Sequence, residues 1–158
     1  MDYADEPRGV FFMIDNKSFY ASVESVERGL NPLRSVLVVM SEADNTGSGL
    51  VLAASPQAKQ RFGIRINLLI VNNFSINQIF RSFVADEDCY PYSIDESILD
   101  MTHSWRLFGK TPLQVARKIQ CTVRQQLGLY TTVGIGENPL QAKLALDLFA
   151  KHDHELLG

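Results

Sequence analysis

At 158 residues the chain is long enough for one domain with a real core and too short to expect two. Apolar residues make up 46% and charged residues 21%, which excludes a disordered chain, and no apolar run approaches membrane-spanning length. The formal net charge of −3 is a poor electrostatic footprint for a chain that grips nucleic acid by itself, because such binding rests on neutralising phosphates.

The first seven residues are acidic rather than signal-like. Cys89 and Cys121 have no metal-type spacing and read as reduced core residues of a cytoplasmic protein. Residues 10–14 are a short continuous apolar run, the pattern of a strand buried on both faces, and the run ends on Asp15. Over 18–29, Phe19, Val23, Val26 and then Leu30 recur at helical spacing, with Gly29 as the stop. Asp15 therefore stands where a strand runs out towards a helix, as either a helix-capping residue or one that faces a ligand.

Residues 36–40 and 49–54 read as two more buried strands, joined through the polar link 41–48 as a hairpin or a longer loop. Ser55 and Pro56 open a basic helical patch over 57–62 with Lys59 and Arg61. Such a patch holds phosphate or is simply solvated. Apolar residues continue over 65–71 with almost no turn signal. Residues 75–85 form an amphipathic helix in which Ser75 caps, Gln78 sits at the capping-box position, and Ile76, Ile79, Phe80, Phe83 and Val84 make the buried stripe.

The stretch 92–100 sets Asp95 and Glu96 between Ile94 and Ile98. As a strand it puts Tyr92, Ile94 and Ile98 on one face, with Asp95 and Leu99 on the other. Adjacent carboxylates among apolar residues are costly unless compensated, and Mg²⁺ takes such oxygen ligands. An extended strand would send the two carboxylates to opposite sides, so both serve one metal only at a turn or strand end. The plain alternative is a hairpin corner with a solvated acidic tip.

Thr111 as cap, Pro112 in the first turn and Gly128 as stop bound a helix whose Ala116, Ile119, Val123 and Leu127 face inward. Residues 131–136 read as a strand whose glycines admit a close backbone approach. Asn138 and Pro139 open the last helix, where Leu140, Leu144 and Leu148 are expected to face the core and Lys143, Asp147 and Lys151 the other side. The glycines form no dinucleotide fingerprint, no Walker-type sequence occurs, and His152 and His154 have no matching metal ligand elsewhere. The element order points to an α+β fold, a mixed or antiparallel sheet backed by helices.

Three separated segments carry a resemblance. Ile14-Asp15-Asn16-Lys17-Ser18-Phe19-Tyr20 resembles the first motif of the Y-family DNA polymerases, and Ser93-Ile94-Asp95-Glu96 is similar to their Ser-x-Asp-Glu motif. Residues 133–145 are similar to the family's Gly-Ile-x-x-Asn-x-x-x-Ala-Lys-x-Ala segment, and 51–56 are closest to the UmuC-like branch of ImpB/MucB/SamB type. The resemblance implies a polymerase palm over 1–158 with a reduced fingers insertion at about 33–64. Asp15, Asp95 and Glu96 would be catalytic and hold two Mg²⁺ ions, joined by the backbone carbonyl of Asn16. Lys17, Ser18, Phe19, Tyr20, Ser55, Lys59 and Lys143 would bind the nucleotide. Tyr20 falls on the steric-gate position, its plain alternative being a core aromatic, and Lys143 would neutralise the triphosphate unless it is merely an exposed helix lysine.

The implied activity is Mg²⁺-dependent templated addition of deoxynucleotides during SOS damage tolerance in the bacterial cytoplasm. Its partners would be primer–template DNA and dNTP, with a processivity clamp or accessory subunits and no membrane. The alternatives are a non-catalytic UmuC-like regulatory or interaction module, and a palm-type nucleotide cyclase. The cyclase would call for a Gly-Gly-Asp/Glu-Glu-Phe-like turn where this chain has Ser93-Ile94-Asp95-Glu96-Ser97. The chain also departs from the family. Pro56 stands where many relatives carry a triphosphate-binding tyrosine, a stretch is missing between Ile64 and Arg65, and the thumb and little-finger domains are absent after Gly158. The isolated chain is therefore expected to be inactive or nearly so.

Overall fold

The computed structural model of the chain describes residues 8–40, 51–64 and 74–152. Its centre is an antiparallel sheet in the order β4 (Cys89–Pro91), β5 (Glu96–Asp100), β1 (Phe11–Asn16) and β6 (Thr131–Gly136). The first apolar run thus becomes an interior strand. Phe12 lies opposite Leu99 on one side and Ile135 on the other, and Asp15 lies opposite Glu96 and Thr132.

Both faces of β1 are covered, which explains why its sequence does not alternate. Phe12 and Ile14, with Leu99 of β5, belong to the main core with Ile76 and Phe80 of α3 (Phe74–Phe80) and Ile119 and Val123 of α4 (Pro112–Leu127). Met13, with Phe11 and Ile98, packs on the other face against Ala142 of α5 (Pro139–Ala145) and against Leu146 and Ala150 of its π-helical continuation Leu146–Ala150.

The caps read from the sequence are present where the chain leaves this sheet. Thr111 Oγ1 accepts from the Gln114 amide at 3.2 Å, and Gly128 closes α4 at φ +67°. The Gln120 side chain then donates to the Thr131 carbonyl at 2.8 Å, which fixes α4 onto β6. Asn138 Oδ1 accepts from the Gln141 amide at 2.9 Å and starts α5. A smaller antiparallel pair, β2 (Val38–Met40) and β3 (Val51–Ala54), lies with α2 (Pro56–Phe62) beside α1 (Phe19–Glu27).

Several expectations are corrected. Leu140, Leu144 and Leu148 are exposed, by 69%, 47% and 60%, and Ala142 and Leu146 are buried in their place. The cause is Gly134 and Gly136. A Cβ on Gly134 would lie 2.2 Å from the Ala142 carbonyl oxygen, and one on Gly136 2.3 Å from the Ala142 nitrogen. At that approach only a small-residue face fits against the strand, so the larger leucine stripe turns outward.

Ser75 lies inside α3, which starts at Phe74 and stops at Phe80. Phe83 and Val84 still reach the core from the turns that follow. Cys89 is buried, but Cys121 is exposed on α4. Val38 and Val39 are only half-buried and Met40 is exposed; among the described residues β2 pairs with β3 alone. The strand expected over 92–100 begins at Glu96, and β4 is an additional short strand beside it. The readings of 1–7, 41–48 and 65–71, the break after Ile64, and the pair Asp153 and His154 lie outside the described residues. Among the described residues no helix is long and apolar enough to cross a membrane.

Candidate active site

Asp15 and Glu96 are cross-strand partners in the β1–β5 ladder. Side chains alternate along a strand, so Asp15 shares its face with Met13 and Glu96 with Ile98, the face covered by α5. Asp95 precedes β5 in a turn tied by the Tyr92 and Ser93 amides, which donate to the Glu96 carbonyl at 2.9 and 3.0 Å. Asp95 therefore lies at the strand start and faces the cleft, while the Glu96 carboxylate is held by Lys143 and Lys151. Ser93 donates to Asp95 Oδ1 at 3.0 Å and accepts from the Glu96 amide at 3.1 Å.

The corner after β1 is held just as firmly. The Asn16 amide donates to the Asp95 carbonyl at 2.7 Å and the Lys17 amide to the Tyr130 carbonyl at 2.9 Å. Ser22 donates its hydroxyl to the Lys17 carbonyl at 2.6 Å. Ser18 adopts a left-handed conformation (φ 47°, ψ 48°), the one described non-glycine residue at positive φ. Such a residue is strained by about 1–2 kcal/mol, and the turn it makes feeds the chain into α1.

A cleft of about 340 Å³ opens at this corner. Asp15 and Asp95 line it from the sheet, Lys17, Ser18, Phe19 and Tyr20 from the corner and α1, Pro56 and Lys59 from α2, and Lys151 from beyond α5. The Lys59 ammonium donates to Ser18 Oγ at 3.1 Å. Burial holds the Lys59 ammonium below the ordinary lysine range, although Asp15 and Asp95 pull it up. Phe19 and Tyr20 are tilted rings with centroids 5.4 Å apart. Thr132 also lines the cleft, and its buried hydroxyl has no hydrogen-bond partner among the described residues.

Four of the expected site residues, Asn16, Ser55, Glu96 and Lys143, do not line this cleft. Ser55 is fully buried as the cap of α2, its hydroxyl donating to the Ser35 carbonyl and accepting from the Leu37 and Ala58 amides. Its polar capacity is used within the fold, not on the cleft. The Asn16 side chain is buried, and the expectation at this position concerns its backbone carbonyl alone. Lys143 is neither in the cleft wall nor an exposed helix lysine: it donates to both Glu96 oxygens at 2.7 and 2.9 Å.

The residue missed in the sequence is Lys151. Its ammonium contacts Glu96 Oε1 at 2.8 Å, Asp15 Oδ1 at 3.1 Å and Asp147 Oδ1 at 3.1 Å. Asp147 also pairs with Lys143 at 3.1 Å. The i, i+4 ladder Lys143–Asp147–Lys151 was legible as a charge pattern, but it reads as a solvated face. Burial alone would raise the Glu96 carboxyl; the two lysines more than reverse this and hold it below its ordinary range. For Asp15 burial prevails over Lys151, and Asp95 and Glu96 add repulsion, so its carboxyl is pushed up. The Lys151 ammonium is desolvated too, yet the carboxylates around it raise its pKa well above the ordinary lysine value.

The donor set suits a hard divalent cation, being carboxylate and carbonyl oxygens with no thiol or imidazole. Oxygens of Asp15 and Glu96 from two strands converge on one point, and the Lys151 ammonium stands there as a positive charge. The residues therefore fit a cation. Among the described residues no three acidic, histidine or cysteine side chains already form a ready ligand group, so Asp95 and Glu96 would have to turn from Ser93 and the lysines to complete one.

The family model of the impB/mucB/samB family matches residues 71–147. DNA polymerase IV 2 of Bacillus subtilis (strain 168) is 37% identical over 90% of this chain and 38% of its own length. The DNA repair protein homolog YozK of the same organism is 39% identical over 60% of this chain and 98% of its own. The structure of a Y-family DNA polymerase chimera, Dbh-Dpo4(243-245)-Dbh, superposes with a TM-score of 0.70 at 22% identity, covering 85% of this chain and 44% of that one. The chain spans about two fifths of the length of the first curated relatives it matches.

Proposed function

Since the chain belongs to the impB/mucB/samB family of Y-family DNA polymerases, we propose that residues 1–158 form a catalytic palm for Mg²⁺-dependent, templated addition of deoxynucleotides in bacterial damage tolerance. In this reading β2, β3 and α2 are a reduced fingers unit. The observation that carries it is the placement of Asp15 opposite Glu96, with Asp95 beside them, at the edge of a cleft that also holds Lys17, Lys59 and Tyr20.

Asp15, Asp95 and Glu96 with the Asn16 carbonyl would hold the metal. Mg²⁺ bound there supplies charge stabilisation for the attacking 3′-oxygen and the departing phosphates. Lys59 and Lys17 would receive the triphosphate, and the backbone of the Ser18 corner would set its position against α1. Tyr20 on the wall would exclude a ribose 2′-hydroxyl by contact with the sugar. Lys143, held on Glu96, would orient that carboxylate rather than meet the phosphates directly.

Primer–template DNA is the second substrate, and a clamp or accessory subunit would supply the grip that a net charge of −3 does not. By itself the chain should extend a primer feebly or not at all. The test is calorimetric titration of a deoxynucleoside triphosphate with and without Mg²⁺, on this chain and on Asp95→Ala. Binding that needs both Mg²⁺ and Asp95 supports the palm reading. Absence of binding by the folded parent chain, or binding indifferent to Asp95, overturns it.

A further inference from the structure

We propose that Lys151 is the resident counter-ion of the Asp15–Glu96 pair, a positioning residue that must leave before a divalent cation enters; the proposal rests on the metal-site reading above. One ammonium bridges the two strands, at 3.1 Å to Asp15 Oδ1 and 2.8 Å to Glu96 Oε1. A divalent cation needs those same oxygens, so the two occupants exclude one another. Lys143 cannot take over. It contacts Glu96 and Asp147, whereas among the described residues Lys151 is the only ion-pair partner of Asp15.

The backbone is arranged for this contact. The Lys151 amide donates to the Leu146 carbonyl at 3.0 Å, a bond spanning five residues that closes the π-helical turn Leu146–Ala150. A π turn is wider than an α turn and carries fewer degrees per residue, and it often marks a functional site. Here it brings Lys151 back over Lys143 and Asp147 onto the carboxylates, instead of drifting around the helix. Asp147, with no cross-strand duty, gives the departing ammonium a carboxylate to keep.

The exchange makes an unusual demand on a substitution. Removing Lys151 should weaken the metal-free protein and yet strengthen metal binding, the reverse of what plain structural damage does. Mn²⁺, which favours the same oxygen ligands, is the probe, with free Mn²⁺ read by electron paramagnetic resonance. Lys151→Met and Lys151→Gln should bind Mn²⁺ about tenfold more tightly than the parent, as expected if the competitor leaves roughly a tenth of the molecules competent. Both should unfold at a lower temperature in EDTA and gain more from Mn²⁺ than the parent does. In the unmutated chain, hydrogen exchange at the Lys151 ammonium should be slow without metal and accelerate when Mg²⁺ is added.

Equal or weaker Mn²⁺ binding by the folded variants, with the parent and its loss on Asp15→Asn intact, overturns the counter-ion and leaves the metal site standing. An ammonium whose slow exchange persists at saturating Mg²⁺ overturns it without any variant. No Mn²⁺ binding by any of the chains, or binding unchanged by Asp15→Asn, overturns the metal-site reading and the exchange together.

Discussion

Gly134 of β6 lies so close beneath Ala142 of α5 that the position of a Cβ on the glycine is 2.2 Å from the alanine carbonyl oxygen and 2.4 Å from the Leu146 nitrogen. Both obstacles are backbone and neither can rotate away. This contact, more than any apolar side chain, decides which face of the last helix meets the sheet and so carries Lys143 and Lys151 to the carboxylates.

Gly134→Ala is therefore expected to cost on the order of 3 kcal/mol, the upper range of overpacking. Gly29→Ala is the comparison: its φ is +68° but nothing stands within 4 Å of the new methyl, so its cost is about 1 kcal/mol of backbone strain. Urea midpoints at constant slope measure both. Equal costs would show that the close approach is not what constrains α5.

Leu146→Ala should cost about 2–5 kcal/mol, as the loss of a buried leucine does, because Leu146 is fully buried on Met13 and Ala142. Leu140→Ser, at a position 69% exposed, should stay within about 0.5 kcal/mol of the parent. The reverse ranking would restore the leucine stripe to the core.

The ion pairs define two limbs of a stability profile. Glu96 and Asp147 lie below their ordinary values, so the unfolded chain binds more protons in acid. Their contribution is present above the ordinary Glu value of 4.5 and is lost as pH falls through the lower folded value. Lys143 and Lys151 lie above the ordinary 10.5. Their contribution is complete below pH 10.5 and disappears as pH rises through the folded values. Glu96→Gln should flatten the acid limb and shorten the alkaline one, read as denaturant midpoint against pH.

Asp15 works the other way. Its carboxyl is raised above 3.8 by burial, so ionisation destabilises the fold as pH rises through and beyond that ordinary value. At neutral pH Asp15→Asn should therefore raise the urea midpoint modestly while removing Mg²⁺-dependent nucleotide binding, the trade expected where a strained group is kept for function. A midpoint that falls would mean that Lys151 contributes more to Asp15 than its burial takes away.

Local signals in the sequence were sufficient for much of this. Thr111, Pro112 and Gly128 bound α4, and Asn138 and Pro139 start α5, because caps act through neighbours a few residues away. The continuous apolar run of β1 correctly implied a strand covered twice, and Asp95 does stand in a turn that leads into β5. What escaped depended on distance between elements. The inward placement expected for the leucines of α5 fails because periodicity records which residues are apolar, not how near a glycine strand lets the helix come. Lys151 carries no local signal, because its meaning depends on a π turn and on two strands far away in sequence. The resemblance assigns Ser55 to the nucleotide, but its hydroxyl closes a cap and a strand end together.

The strand order has a kinetic corollary. β1 is completed by Asn16, yet the strands on its two sides begin only at Glu96 and Thr131. Non-local pairings of this kind slow folding, and a ribosome adds about 5–20 residues per second. For seconds after its synthesis this apolar strand, with Asp15 at its end, is without either neighbour. A nascent chain stalled before residue 96 should thus be a client for chaperones, and the Asp15–Glu96 pair forms only after β5 has been made.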